Sequence, residues 1–286
     1  MTTKEETKEP AVAVAPDVVI PEKETLEVQK DVLEHVPREE EIERAHGENV
    51  DVSAWTPKTE LGRKVKSGVL RDIDQVLDSG EPILEAAITD VLLPNMESDL
   101  LMIGQSKGKF GGGKRRAFRA TQKKTPEGNK PSFGAVVVMG NKDGYVGVGY
   151  GKSRDTLPAK EKAVRDAKTN VFRVKRGCGS WQCGCRTPHS LPFEVAGRCG
   201  SVRIRLMPAP KGKGLVVEKN CQRILQLAGF RDVWSKTSGQ TRQTLNLVKA
   251  VVSALRKLST TKVRPEAIEQ LGMKTGRTGT HEVKRE

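Results

Sequence analysis

Residues 144–154, which read GYVGVGYGKSR, decide the fold of this chain. Gly147, Gly149 and Gly151 alternate with larger residues, as expected for one face of a β-strand, because successive side chains of a strand point to opposite sides. A strand face without side chains allows a helix or a polyphosphate backbone to approach closely. The sequence therefore predicts a strand whose glycine face is covered by one of these two partners.

The Gly-Lys-Ser ending of this stretch is similar to a nucleotide-binding loop, but its spacing is wrong. A P-loop has four residues between its first glycine and Gly-Lys-Ser, and counting back from Gly151 gives Val146 instead of glycine. Residues 108–114 have the right spacing, but Arg115 replaces the hydroxyl that would bind Mg²⁺. A dinucleotide fingerprint also fails, because Lys152 stands where its third glycine belongs. We therefore expect no bound nucleotide.

The residues around this stretch predict three strands followed by a helix. Residues 116–123 alternate only roughly as a half-exposed strand, residues 133–139 are apolar, and a turn at residues 141–144 leads into the glycine strand. Thr156 is placed to cap a helix that ends at about residue 172. This β-β-β-α order is that of a double-stranded-RNA-binding domain, which reads shape, phosphates and 2′-hydroxyl groups.

The charge of the chain is divided unevenly. Residues 1–50 contain 6 Lys/Arg and 14 Asp/Glu, whereas the other residues contain 44 and 22. An acidic extension on a basic body is typical of nucleic-acid-binding proteins. The large excess of positive charge on the body repels itself, and binding to a polyanion relieves that repulsion. No apolar run is long enough for a membrane span, and the N-terminus lacks the pattern of a signal peptide. We therefore expect a cytoplasmic protein whose cysteines form no disulfides.

Six segments follow from these patterns. They are an acidic extension (residues 1–54), a helical N-terminal arm (55–100), a double-stranded-RNA-binding-like β-β-β-α domain (101–175), a loop-like Cys/Gly-rich connection (176–200), a β-α-β-α C-terminal domain (201–258) and an extended polar tail (259–286). In the arm, one helix should end at Gly80, and another should begin near Pro82 and end before Pro94. The fold class is therefore α+β.

The residues that we expect to bind RNA are cationic. Residues 104–124 contain eight Lys/Arg, several glycines and no acidic residue, which suits the changing phosphate directions of a folded RNA. The alternative is a solvated loop. The predicted phosphate contacts in and beside this run are Lys107, Lys109, Lys114, Arg115, Arg116, Arg119, Lys123, Lys124, Lys152 and Arg154. A second basic surface would comprise Arg203, Arg205, Lys211 and Lys213.

Four residues of the connecting segment form a candidate metal site. Cys178, Cys183, Cys185 and His189 are a compact set of soft ligands, and four such ligands suffice for structural zinc. The single residue between Cys183 and Cys185 departs from the usual pair spacing of two to four residues. Two interpretations remain open, a zinc site or buried thiols in a glycine-rich turn. A catalytic Cys–His pair would need a third residue to orient the histidine, and the sequence reveals none.

Four blocks of sequence closely resemble the small-subunit ribosomal protein five family in its archaeal form. They are residues 140–168 (GNKDGYVGVGYGKSRDTLPAKEKAVRDAK), 176–190 (RGCGSWQCGCRTPHS), 197–220 (GRCGSVRIRLMPAPKGKGLVVEKN) and 227–242 (LAGFRDVWSKTSGQTR). The resemblance covers about residues 55–258. The cysteine cluster, the acidic extension and residues 111–116 (GGGKRR) depart from the bacterial pattern, in which that loop is shorter.

The resemblance implies a non-enzymatic constituent of the small ribosomal subunit with the two domains predicted above. It implies binding to small-subunit rRNA, contacts with ribosomal proteins four and eight, and a place near the decoding region and the channel through which mRNA enters. The family is associated there with translational accuracy and with unwinding of incoming mRNA. The alternative is an RNA-modifying enzyme with a zinc site, which would need an acid–base constellation that the sequence does not contain.

Overall fold

A computed structural model describes residues 55–106, 108 and 115–276. The elements in chain order are α1 (Glu60–Lys66), α2 (Ile73–Ser79), α3 (Ala86–Leu92), β1 (Glu97–Leu100), β2 (Arg119–Thr125), β3 (Gly128–Gly140), β4 (Tyr145–Ser153), α4 (Thr156–Thr169), β5 (Val171–Arg173), β6 (Lys175–Arg176), β7 (Val195–Cys199), β8 (Val202–Pro208), β9 (Leu215–Val216), α5 (Lys219–Leu227), β10 (Val233–Ser238), α6 (Thr244–Thr260), α7 (Pro265–Gln270) and β11 (Lys274–Thr275). Within the described ranges, no helix has both the length and the apolar character needed to cross a membrane.

The helix α4 covers the glycine face of β4, so the closely approaching partner predicted from the sequence is a helix. A Cβ atom on Gly151 would lie 2.5 Å from the amide nitrogen of Ala163, and Cβ atoms on the other two glycines would also collide with the backbone of α4. The helix presents Ala159, Ala163 and Ala167 to the sheet, and all three are fully buried. Small residues on both sides therefore allow two backbones to approach within van der Waals contact.

The first sheet has the strand order β1-β3-β4-β5, and β2 also pairs with β3. The predicted β-β-β-α unit is confirmed as β2, β3, β4 and α4, with the turn at residues 141–144 between β3 and β4. The predicted cap of α4 was wrong by one residue, because Asp155 is the N-cap and Thr156 is the first helical residue. The helix also ends at Thr169, earlier than predicted, since Val171 pairs with Gly147 as part of β5.

The second sheet has the strand order β7-β8-β10-β9 and packs against α5 and α6. The strand β7 lies in the segment that was predicted to be a loop, so that prediction was wrong for residues 195–199. Gly197 allows α6 to pack closely on this strand, because a Cβ there would collide with the backbone oxygen of Ala250 in α6. The prediction of an extended tail was also wrong in part, since α7 forms there and β11 pairs with β6.

The N-terminal arm packs its three short helices on the edge of the first sheet. Ile73, Val76 and Ile88 are buried there with Tyr145 and Val171 of the sheet. The helix α2 ends at Gly80, as predicted, in the left-handed conformation with φ 73°.

The start of the next helix was predicted four residues too early, because α3 begins at Ala86. The carboxylate of Glu85 accepts hydrogen bonds from the indole Nε1 of Trp55 (2.9 Å) and from the backbone nitrogens of Lys58 (2.8 Å) and Thr59 (2.6 Å). These bonds hold residue 85 in an extended conformation and delay the helix.

The two sheets share one hydrophobic core. Val136 and Val138 of β3 are buried in the same cluster as Ile224 of α5 and Val251 of α6. Polar contacts reinforce this junction, since Asn220 accepts a hydrogen bond from the Met102 backbone nitrogen at 2.9 Å. The N-terminal and C-terminal halves of residues 101–258 are therefore joined through packed side chains.

Candidate nucleic-acid interface

Four cations lie on one face of the first sheet. In the register of β2, β3 and β4, Gly134 is directly opposite both Arg119 and Lys152, and Lys123 is opposite Lys130. Directly paired residues point to the same side of a sheet, and residues two apart on one strand do so as well. The four exposed side chains therefore form one surface, which we call the first basic face.

The first basic face continues the surface that forms the core. Gly134, Val136 and Val138 point to the same side of β3, and the two valines are buried against the C-terminal half. The far end of β3 and its partner β2 extend beyond that contact, so Lys123 and Lys130 are exposed. Lys130 is partly neutralised by Glu127 at 2.8 Å, in an ion pair whose side chains are both more than half exposed.

Other predicted contacts of this region are placed differently. Lys124 points to the opposite side of β2 from Lys123, and Arg116 and Arg154 are exposed outside the strands. Arg115 is half-buried, and both its terminal nitrogens donate hydrogen bonds of 3.2 Å to the backbone oxygen of Arg242. Arg115 therefore ties two parts of the chain together. Three predicted contacts, Lys107, Lys109 and Lys114, lie outside the described residues.

The start of α4 is less favourable for phosphate than the sequence suggested. Free N–H groups at a helix start attract anions, but Asp155 occupies the N-cap position with an exposed side chain. A carboxylate at this position competes with a phosphate for the same positive end of the helix. Lys152 and Arg154 must therefore supply the attraction at this end of β4.

A second basic face covers the outer side of the second sheet. Arg203 lies opposite Arg198 of β7, and Arg205 lies opposite Lys236 of β10. All four side chains are exposed, whereas Ile204 between them points into the core. Arg198 and Lys236 were missed, because the pairing of β7 and β10 with β8 is needed to place them beside the predicted arginines.

Lys211 and Lys213 are not part of the second basic face. They are exposed in the loop that follows β8, so about 17 Å of strand lies between Arg203 and the start of that loop. The backbone nitrogens of Gly212 and Gly214 donate hydrogen bonds to Oδ1 of Asp232 at 3.0 and 2.8 Å. This loop is therefore anchored beside the cysteine cluster.

A groove lies between the first sheet and α6. Its volume is about 590 Å³, and its lining includes Tyr150 of β4 and three cations of α6, Lys249, Arg256 and Lys257. Lys257 also lines the depression over the second basic face. Among the described residues, the lining of the groove includes one carboxylate, that of Asp166, which accepts a hydrogen bond of 2.8 Å from the backbone nitrogen of Tyr150. The groove therefore carries mainly positive charge and meets the second basic face at Lys257.

The structure brings the four predicted metal ligands together. The Sγ atoms of Cys178, Cys183 and Cys185 and a ring nitrogen of His189 all lie within 4.8 Å of one another. The nearest histidine nitrogen, Nε2, is 3.9 Å from the sulfur of Cys183. The other ring nitrogen, Nδ1, is 2.8 Å from Oδ2 of Asp232, and both side chains are buried. Asp232 is the orienting residue that the sequence did not reveal.

Two thiols of the cluster, those of Cys178 and Cys185, differ in acidity. Burial raises the pKa of Cys178 to about 11. Burial also acts against ionisation of Cys185, but hydrogen bonds from the hydroxyl and backbone of Thr187 outweigh it and lower the pKa of Cys185 to about 6. Cys185 therefore supplies a thiolate near neutral pH, the form of cysteine that binds metal ions.

Two family profiles match the chain in these regions. "Ribosomal protein S5, N-terminal domain" matches residues 117–175, and "Ribosomal protein S5, C-terminal domain" matches residues 197–269. The first match covers β2 to β5 with α4, and the second begins within β7 and ends within α7. Each profile therefore corresponds to one of the two sheets.

Archaeal proteins named small ribosomal subunit protein uS5 are similar over most of the chain. The protein of Nanoarchaeum equitans is 46% identical over 227 residues, covering 79% of this chain and 97% of the relative. The protein of Methanocaldococcus jannaschii is also 46% identical over 227 residues, covering 79% and 98%. That of Pyrobaculum calidifontis is 49% identical over 207 residues, covering 72% and 95%.

The fold and these relatives define a protein of the small ribosomal subunit. The chain belongs to the ribosomal protein uS5 family, whose members are structural constituents of the ribosome. The predicted family and the α+β fold class are thereby confirmed. The family is non-enzymatic, so the alternative of an RNA-modifying enzyme is set aside.

Proposed function

We propose that this chain binds small-subunit rRNA along a path formed by the first basic face, the groove beside α6 and the second basic face. The observation that carries this proposal is the alignment of Arg119, Lys123 and Lys152 on one exposed side of three paired strands. Cations that share one exposed surface can contact several phosphates of an RNA backbone, which binds mainly through charge and shape.

The second basic face and the groove extend the same interaction. Arg203 and Arg205 present guanidinium groups, which can hold two phosphate oxygens at once, and Arg198 and Lys236 stand beside them. In the groove, Tyr150 is 44% exposed next to the cations of α6, so its ring is available to stack on a base or a sugar. The predicted contacts Lys107, Lys109 and Lys114 belong to the sequence run that leads into β2.

Membership of the family supports a proposal about the place of the protein in the subunit. We propose that it lies near the decoding region and the channel through which mRNA enters, contacts ribosomal proteins four and eight, and supports translational accuracy in cytoplasmic ribosomes. The shared core supports such a role, because it keeps the two basic faces at a fixed separation. A protein that holds two RNA segments at a fixed separation can stabilise one conformation of the subunit.

Removal of three aligned cations tests the RNA-binding proposal. In the full chain, changing Arg119, Lys123 and Lys152 together to Ala should weaken binding to a small-subunit rRNA transcript. It should also reduce the slope of log K against log salt by about 2 to 3 units, since each phosphate contact contributes about 0.7 to 0.9. Filter binding at several KCl concentrations gives both quantities.

A control with the same loss of charge separates local contacts from net charge. Lys58, Arg63 and Lys64 are exposed cations of the N-terminal arm, away from both basic faces. Their triple Ala variant should keep the slope of the unaltered chain. Equal slopes for the two triple variants would refute the assignment of the first basic face. Small subunits assembled with the first variant should also misread near-cognate codons more often, and unchanged misreading would remove the accuracy role.

A further inference from the structure

We propose that Cys178, Cys183, Cys185 and His189 bind one Zn²⁺ ion, and that this ion has a structural role. Three thiolates and one imidazole are a ligand set of structural zinc sites. Tetrahedral bonds of about 2.3 Å to sulfur and about 2.0 Å to nitrogen place the ligand atoms roughly 3.5 to 3.8 Å apart. The four donor atoms, which all lie within 4.8 Å of one another, need only a small contraction to reach this geometry.

The local chain path explains the unusual spacing of the ligands. Cys183 and Cys185 are separated only by Gly184, and their sulfurs lie within 4.8 Å of each other. Two turns then bend the chain around the cluster. The Cys183 backbone nitrogen donates to the Ser180 oxygen at 3.2 Å, and Arg186 adopts a positive φ of 50°. All four ligands thus come from one short segment that folds back on itself.

Asp232 provides an observation that is independent of the cysteines. Its Oδ2 atom lies 2.8 Å from Nδ1 of His189, so Nε2 is directed towards the three sulfurs. A carboxylate behind a histidine ligand is a recurrent feature of zinc sites, because it fixes the ring orientation and increases ligand basicity. The other oxygen of Asp232 is held by Gly212 and Gly214, and the carboxylate itself is buried. Asp232 is therefore a positioning residue for the proposed ion.

A Cys–His–Asp arrangement also occurs in nucleophilic catalysis, but the geometry here favours a metal. In a catalytic pair, one sulfur faces the histidine within hydrogen-bond reach. Here the sulfur of Cys183 faces Nε2 at 3.9 Å, but two further sulfurs converge on the same point, which a catalytic pair does not need. Several converging donors at this separation leave a centre of the size that a zinc ion fills.

The proposed ion would fix the segment between the first and second sheets to the residues that follow α7. Gly177 and Ser190 exchange two backbone hydrogen bonds of 2.9 Å, which close the segment into a loop. The Cys178 backbone nitrogen donates to the Leu271 oxygen at 2.9 Å, just after α7. Gly272 approaches the carbonyl of Arg186 so closely that a Cβ there would collide with it. Loss of the ion should therefore loosen residues 177–190 and α7 together.

Metal analysis of the full chain, purified without chelator or histidine tag, tests the site directly. We expect about one zinc per chain, and Cys183→Ser should reduce it at least tenfold. The matched control is Cys199→Ser, which removes a half-buried thiol outside the cluster and should retain the metal. Substitution with Co²⁺ should give the absorption of tetrahedral thiolate coordination. Absence of zinc both in the purified protein and after addition of Zn²⁺ would overturn the proposal.

Two further measurements avoid dependence on a cysteine variant. In the unaltered chain, a chelator should accelerate tryptic cleavage after the exposed Arg186 at least tenfold, while the circular dichroism of the core persists. Asp232→Asn should weaken zinc binding 10- to 100-fold, the usual effect of losing such a partner, and a competing chelator measures this affinity. Equal cleavage with and without chelator would exclude the structural role, and unchanged affinity would exclude the positioning role of Asp232.

Discussion

Replacing Gly149 with Ala should destabilise the protein strongly, although it adds a single methyl group. A Cβ at this position collides with the carbonyl oxygen of Ala163 and the amide nitrogen of Ala167, which are backbone atoms of α4 that cannot rotate away. The helix must therefore withdraw from β4 by roughly 1 Å. A gap of that size forfeits a quarter to a half of each dispersion contact along the interface.

The expected loss is about 3 kcal/mol, at the upper end of the usual overpacking cost of about 1 to 3 kcal/mol, because the obstacle is backbone. For a body of this size, this corresponds to a fall in Tm of about 6 to 12 °C. Thermal and urea unfolding of the full chain, followed by circular dichroism, measure both quantities.

The matched control is Gly184→Ala, because a Cβ at Gly184 meets no atom within 4 Å. Its free energy of unfolding should stay within about 0.5 kcal/mol of that of the unaltered chain. If Gly149→Ala also stayed within that range, β4 and α4 would not be in backbone contact, and the explanation of the glycine face would be wrong. Added ATP and Mg²⁺ should stabilise neither variant, since the face is occupied by a helix.

Two smaller predictions concern side-chain hydrogen bonds. Burial opposes ionisation of Glu85, but hydrogen bonds from Thr59, Lys58 and Trp55 hold its pKa below the ordinary value of 4.5. The stability that it contributes is therefore present above pH 4.5 and is lost as the pH falls through the lower folded pKa. Hydrogen exchange of α1 should become faster over this pH range. Glu85→Gln is the control, because without the carboxylate the stability should not change with pH over the same range. Arg223→Ala should lower the free energy of unfolding by about 1 to 3 kcal/mol, because the Nη1 atom of Arg223 donates hydrogen bonds to Asp99 at 3.0 Å and to the Leu100 oxygen at 2.9 Å. The control is Arg165→Ala, an exposed change on α4, which should lower it by less than about 0.5 kcal/mol in the same urea titration.

The alternation of Gly147, Gly149 and Gly151 was enough to predict a strand with a closely approaching partner. It could not identify that partner, because a helix and a phosphate chain both require a face without side chains. The deciding signal lay further along the chain, where Ala159 and Ala163 are four residues apart and so share one face of a helix. The glycines of β4 and the alanines of α4 together specify the close contact between this strand and this helix.

Residues that depend on distant pairing could not be predicted from local pattern. The strand β7 contains Gly197, which weakens strand character, and its identity follows only from its register with β8. Asp232 is 43 residues from His189, so no local spacing links them. Arg115 has the charge expected of a phosphate contact, but its guanidinium group donates hydrogen bonds to the backbone oxygen of Arg242.

The shared core also determines how the protein can fold during its own synthesis. Val136 and Val138 leave the translating ribosome well before α5, which covers them in the folded protein. Roughly 90 residues separate the end of β3 from the end of α5, so at about 5 to 20 residues per second an apolar sheet surface is uncovered for roughly 5 to 20 seconds. During that interval the nascent first sheet exposes an aggregation-prone surface, and we expect a chain truncated before α5 to aggregate through it.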